Sequence, residues 1–189
     1  MRQLFTALLV LLIVFMLNPQ AYSAEEENDV ILSINPVGML LLGLPNFEVE
    51  KIINPQSGIV LFYAQSGQTP GKIGDVYYTG SEERITYRRY FKNTAPAGAW
   101  GGLSLAYSTS DVWTENNYGY YDEYILNTSA IALSIEAGAR WWFKDFNISP
   151  IVMYRVLLTD NFFGEKQTSG DVKTPAAGFG IGLNIGIGL

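Results

Sequence analysis

Residues 176–189 read Ala-Ala-Gly-Phe-Gly-Ile-Gly-Leu-Asn-Ile-Gly-Ile-Gly-Leu, and their pattern decides the fold. From Phe179 onward every second residue is large and apolar: Phe179, Ile181, Leu183, Ile185, Ile187 and Leu189. Between them stand Gly180, Gly182, Asn184, Gly186 and Gly188. A period of two is the period of a strand, whose successive side chains point to opposite faces. One face here is oily throughout and the other almost bare. A soluble strand shows polar side chains to water and avoids interior glycine. A transmembrane barrel strand turns its large apolar residues to lipid and packs small ones inside. It needs about 9–11 residues to cross a bilayer, which this stretch supplies.

The same alternation recurs upstream. A first strand runs from Val30 to Leu42, with Pro36 and Gly38 as a bulge or kink. Further strands are expected at 47–53, 59–64, 83–91, 99–109, 129–143 and 148–158, with the opening stretch as the eighth. The sixth is the clearest: Ile131, Leu133, Ile135, Ala137, Ala139, Trp141 and Phe143 share one face. Nothing between the strands reads as a helix. The fold class is therefore all-β, an eight-stranded antiparallel up-and-down transmembrane β-barrel. Connections at 54–58, 92–98 and 144–147 are short and lie at one end. Those at 43–46, 65–82, 110–128 and 159–175 lie at the other, and three of them are long. Short turns at one end and long loops at the other are the habit of bacterial outer-membrane barrels. Phe91, Trp100, Trp141, Trp142, Phe143 and Phe146 flank the short turns, as an interfacial aromatic girdle would.

The N-terminus fits export. Met1-Arg2-Gln3 precedes an apolar run from Leu4 to Leu17, then Asn18-Pro19-Gln20 and the small-residue site Ala21-Tyr22-Ser23. A basic tip, a short apolar core and such a site define a secretory signal peptide over 1–23, which leaves 24–189 as one barrel domain. The net charge of -6 counts against nucleic-acid binding, which wants clustered Lys and Arg. The chain of 189 residues has no cysteine and no histidine, so disulfides, common zinc sites and most nucleophilic triads are excluded. No cofactor, metal site or catalytic residue is expected, and an enzyme is the weakest reading.

If the oily faces look outward, the opposite faces carry Glu48, Glu50, Arg84, Arg88, Glu136, Arg140 and Arg155 into a narrow lumen. Buried charges must pair, so these seven are expected to form a plug of salt bridges in a mostly closed lumen. The carboxylates Glu82 and Glu83 sit at a loop edge and read as solvated. Arg89 has outward parity and lies near a short turn, from which it can snorkel. Tyr118, Tyr120, Tyr121 and Tyr124 fall in the 110–128 loop, where they would meet an external ligand. The acidic residues of that loop, Asp111, Glu115, Asp122 and Glu123, read as solvated rather than metal-binding.

The run 88–108, Arg-Arg-Tyr-Phe-Lys-Asn-Thr-Ala-Pro-Ala-Gly-Ala-Trp-Gly-Gly-Leu-Ser-Leu-Ala-Tyr-Ser, resembles the fourth and fifth strands of a family of small bacterial outer-membrane barrels, broadly OmpA/OmpX-like. Asn35-Pro36-Val37-Gly38 before a Glu-bearing second strand is similar to it too. The resemblance spans the mature chain. It implies residence in the bacterial outer membrane, contact with outer-membrane lipid, and insertion by the barrel assembly machinery. Such barrels usually end in an aromatic residue; this sequence ends in Leu189. The function expected is a structural or surface-interaction role. The alternatives are a small channel, and a soluble lipocalin-like exported barrel that holds an apolar ligand.

Overall fold

A computed structural model describes residues 30–42, 45–65, 71–73, 76–91, 95–115, 121–161 and 177–189. The expected signal peptide lies outside the described residues. The chain forms β1 (Val30–Ile34), α1 (Pro36–Leu42), β2 (Asn46–Asn54), β3 (Ser57–Gln65), β4 (Gly71–Ile73), β5 (Val76–Tyr90), β6 (Gly98–Glu115), β7 (Tyr121–Phe143), β8 (Phe146–Asn161) and β9 (Ala177–Gly188). All strand pairings are antiparallel; β4 pairs only with the far end of β5. The other eight strands close on themselves in the order β1, β2, β3, β5, β6, β7, β8, β9 and back to β1. This is the up-and-down barrel that the alternation predicts.

One row of paired residues shows how the barrel closes. Ala177 pairs with Val156, then in turn come Leu133, Leu105, Ile85, Leu61, Val49, Leu32 and Ile187. The row thus returns to β9 ten residues further along. With a rise of about 3.3 Å per residue and about 4.8 Å between strands, that stagger tilts eight strands by about 40°. Every member of the row is aliphatic, and each is partly or largely exposed on the outer surface.

The molecule is inverted relative to a water-soluble core. Outward positions of the described residues carry Leu61, Ile85, Leu103, Leu105, Ile135, Phe179 and Ile181, all at least about half exposed. Inward positions carry Glu48, Glu50, Arg84, Arg88, Glu136 and Arg140, all buried. Apolar side chains do enter the lumen at the short-turn end. There Ile31, Ala97 and Trp142 form one buried cluster and Tyr90, Trp100 and Ile151 a second, with Ile52 packed against both. Trp100 and Trp142 therefore point inward and do not join the aromatic girdle. Phe143 and Phe146 stack outside, their ring centres 5.4 Å apart, and Phe91 is also exposed. Residues 95–97 fold under the barrel, tied by the Ala95 amide donating to the Pro55 carbonyl at 3.0 Å. Gly98 turns the chain back into β6 at φ 83°, a left-handed geometry suited to glycine.

Four stretches differ from the expectation. The first strand stops at Ile34 instead of running to Leu42, and a helix follows. Asn35 caps it: its Oδ1 accepts from the Gly38 amide at 2.9 Å, and Pro36 takes the first helical position, where a missing N–H costs nothing. Asn46 then replaces a strand partner, accepting from the Asn35 amide at 2.7 Å and donating to its carbonyl at 3.1 Å. The 110–128 segment is mostly strand, because β6 reaches Glu115 and β7 starts at Tyr121. The 65–82 segment is likewise shortened by β4 and the start of β5. In the last connection β8 runs on to Asn161; residues 162–176 lie outside the described residues.

Candidate functional site

The period of two that exposes the aliphatic row also delivers the charges to the lumen. On β2, Glu48 and Glu50 are two apart and share the inner face; on β5, Arg84, Arg88 and Tyr90 share it; on β7, Glu136 and Arg140 do. At the centre, the Glu50 Oε2 accepts from Arg88 Nη1 at 2.8 Å and from Arg140 Nη2 at 2.7 Å. Its Oε1 accepts from the Tyr90 hydroxyl at 2.7 Å, and that hydroxyl accepts from Arg140 Nη1 at 2.9 Å. Arg88 also grips Glu48 with both terminal nitrogens, at 2.7 and 2.9 Å. Asn184 Nδ2 of β9 donates to Glu48 Oε2 at 3.0 Å. The Arg88 guanidinium lies 4.1 Å from the centre of the Trp100 ring.

Two glycines make room for this centre. A Cβ on Gly58 would sit 2.6 Å from Glu50 Oε1, and one on Gly138 would sit 2.5 Å from the Trp100 ring. The residues of this centre come from β2, β5, β6, β7 and β9, so the ion pairs tie opposite walls together. Two guanidiniums against two carboxylates leave no net charge there; every carboxylate oxygen and terminal guanidinium nitrogen of the four is hydrogen-bonded, while the Nε of Arg88 and of Arg140 is buried without a partner.

A second group lies further toward the long-hairpin end. Arg155 of β8 holds Glu82 of β5 with two contacts, at 2.8 and 2.7 Å. Arg84 lies 3.5 Å from Glu82 and 3.4 Å from Glu136, with its guanidinium 4.3 Å from the Phe62 ring centre. The Thr86 hydroxyl reaches Glu136 Oε1 at 3.4 Å. Here too the acids and bases balance.

The seven residues expected in the lumen all point inward, and each belongs to one of these two groups. Sequence reasoning missed Glu82. It read the residue as solvated at a loop edge, but β5 extends past it and its even parity turns it to Arg155. Glu83 is exposed, as expected. The Tyr90 hydroxyl was visible as an inward residue but not as the bridge between Glu50 and Arg140. Arg89 is exposed on the outer surface, its Nη2 donating to Gln56 at 2.9 Å. Tyr121 and Tyr124 belong to strand β7 rather than to a loop, which corrects their placement. Tyr118 and Tyr120 lie outside the described residues.

No family model, no curated protein and no solved structure matches the chain.

Proposed function

We propose that this chain is a bacterial outer-membrane barrel with a structural or surface-interaction role and a lumen closed by its own ion pairs. The observation that carries the reading is the aliphatic row that circles the outside, set against buried Glu and Arg within. In water such a surface would be costly: each large apolar side chain forgoes about 1.5–3 kcal/mol when left exposed rather than buried. In a bilayer the same surface is the favourable one. Exposed Arg89 fits too, because it lies beside a short turn where a cation costs about 0–1 kcal/mol. Insertion by the barrel assembly machinery and contact with outer-membrane lipid follow from this reading. External ligands would meet the extended β6–β7 hairpin.

The centre of ion pairs and the apolar floor beneath it favour a closed barrel over a small channel. The charged interior also counts against a lipocalin-like carrier, whose cavity would be apolar throughout. The test is gel mobility of outer-membrane fractions extracted in detergent, heated against unheated. A heat-dependent shift in that fraction supports the proposal. An unshifted protein recovered in the soluble periplasm overturns it.

A further inference from the structure

One ion of the lumen has a poor acceptor. Arg84 is buried, and a buried guanidinium calls for short hydrogen bonds, about 2.7–2.9 Å to an ionised oxygen. Its carboxylate contacts are longer, 3.5 Å to Glu82 and 3.4 Å to Glu136, and its Nε is buried without a hydrogen-bond partner. Among the described residues, the side-chain hydrogen bond it does make runs from Nη1 to Met153 Sδ at 3.6 Å. Arg155 Nη2 donates to the same sulfur from 4.0 Å. A thioether is a weak acceptor, so two cations share one soft, uncharged atom.

Register puts the sulfur there. Met153 pairs with Glu136 of β7 on one side and with Gly180 of β9 on the other, so all three share the inner face. Gly180 leaves it room: a Cβ there would stand 2.9 Å from Met153 Cγ and 3.4 Å from its Sδ. The group is open to water. Met153 is half-buried, and the Arg155 and Glu82 side chains beside it are 25% and 19% exposed. A small neutral oxidant can follow water to this level.

We propose that Met153 is an oxidation site whose sulfoxide is held by Arg84 and Arg155. The oxidant is a peroxide. The sulfur lone pair attacks one peroxide oxygen, and the S–O bond forms as the O–O bond breaks. The proton on the transferred oxygen passes to the departing one, so hydrogen peroxide leaves as water. Sulfur loses two electrons and the peroxide gains them. The product oxygen is a strong acceptor where the thioether was a weak one. Both N···S spans exceed a charged N–H···O bond, so an oxygen on the sulfur, set off the N···S lines, comes within reach of both nitrogens. In an apolar core a sulfoxide is disruptive, because its new polarity is buried unpaired. Here it meets two guanidiniums, one of them short of a good acceptor. Oxidation therefore ties β5 to β8 more firmly.

The experiment treats the protein, refolded in detergent micelles, with hydrogen peroxide. Peptide mass spectrometry maps the added oxygen, and urea titration followed by tryptophan emission reads stability. Met39, exposed on α1, is the internal reference. The proposal expects one oxygen on Met153 and a urea midpoint above that of the untreated protein. Met39→Leu should leave that rise intact, and Arg155→Gln should shrink it. Met153→Gln, whose amide oxygen stands in for the sulfoxide's, should have a higher midpoint than Met153→Leu; this pair carries the test if Arg155→Gln does not fold. Met153 left unmodified while Met39 is oxidised would overturn the proposal. So would a midpoint that falls, or does not move, once Met153 is oxidised. A rise undiminished in Arg155→Gln, or Met153→Leu matching Met153→Gln, would overturn the role given to the guanidiniums.

Discussion

Replacing Glu50 by glutamine should be among the most damaging isosteric changes to this barrel. The carboxylate takes three short hydrogen bonds, from Arg88, Arg140 and Tyr90, at 2.7 to 2.8 Å. Glutamine keeps the shape and removes the charge. Arg88 and Arg140 are then left with Glu48 as the carboxylate within reach, and Arg140 is 4.0 Å from it. The amide nitrogen that replaces one carboxylate oxygen would also face donors. Breaking a buried pair from one side costs about 3–5 kcal/mol. That is a fall of about a hundred- to several-thousand-fold in the folding equilibrium constant. The assay is urea titration of the refolded protein in detergent micelles, followed by tryptophan emission and by the fraction with folded mobility. Glu83→Gln, on an exposed outward carboxylate, is the control and should shift stability by less than about 0.5 kcal/mol. The double variant Glu50→Met/Arg140→Leu should recover much of the loss, because no unpaired ion remains at that position. Stability of Glu50→Gln within about 1 kcal/mol of the parent would refute the argument, since a tightly paired buried ion cannot be lost so cheaply.

Other outcomes follow from the same geometry. Glu82→Gln should cost about 1 kcal/mol or less, well under Glu50→Gln in the same titration, because its partner Arg155 is a quarter exposed and screened by solvent. Gly138→Val would drive its side chain into the Trp100 ring and the Pro150 carbonyl, and should leave little protein with folded mobility. Asn35→Ala removes the cap of α1 and should lower stability by about 0.5–2 kcal/mol, measured by the same titration. Parent protein in planar bilayers should give no conductance steps, because the apolar floor closes the lumen beneath the ion pairs.

Most of the architecture was legible because one period governs it. A strand that puts Leu103, Leu105 and Tyr107 outside must put Ser104 and Ala106 inside, and counting by twos assigned every lumen charge that was looked for. What was not legible depended on distant partners. The Asn35-Pro36-Val37-Gly38 run carries a helix cap, but Gly38 and the shortness of the segment argue against a helix. It is Asn46, eleven residues on, that holds both backbone groups of Asn35 and ends the strand. The 110–128 segment looked like a loop because its acids and polar residues hide the alternation. Its Val, Trp, Thr and Tyr suit a two-stranded ribbon extending beyond the aliphatic rows. Glu82 was misplaced by the same error, one residue outside an expected strand boundary. Trp100 and Trp142 show the limit of reading aromatics by position along the chain: nearness to a turn marks a rim, but parity decides which side of the wall they occupy.

The central claim is that the wall separates lipid outside from paired charge inside. With no native cysteine in the chain, single cysteines can be placed and spin-labelled one at a time from residue 131 to 136 of β7 in reconstituted bilayers. The account expects labels at 131, 133 and 135 to relax strongly with oxygen, which partitions into lipid, and labels at 132, 134 and 136 to be shielded from both oxygen and a water-soluble nickel chelate. Oxygen accessibility without that alternation, or nickel accessibility at the odd positions, would contradict it.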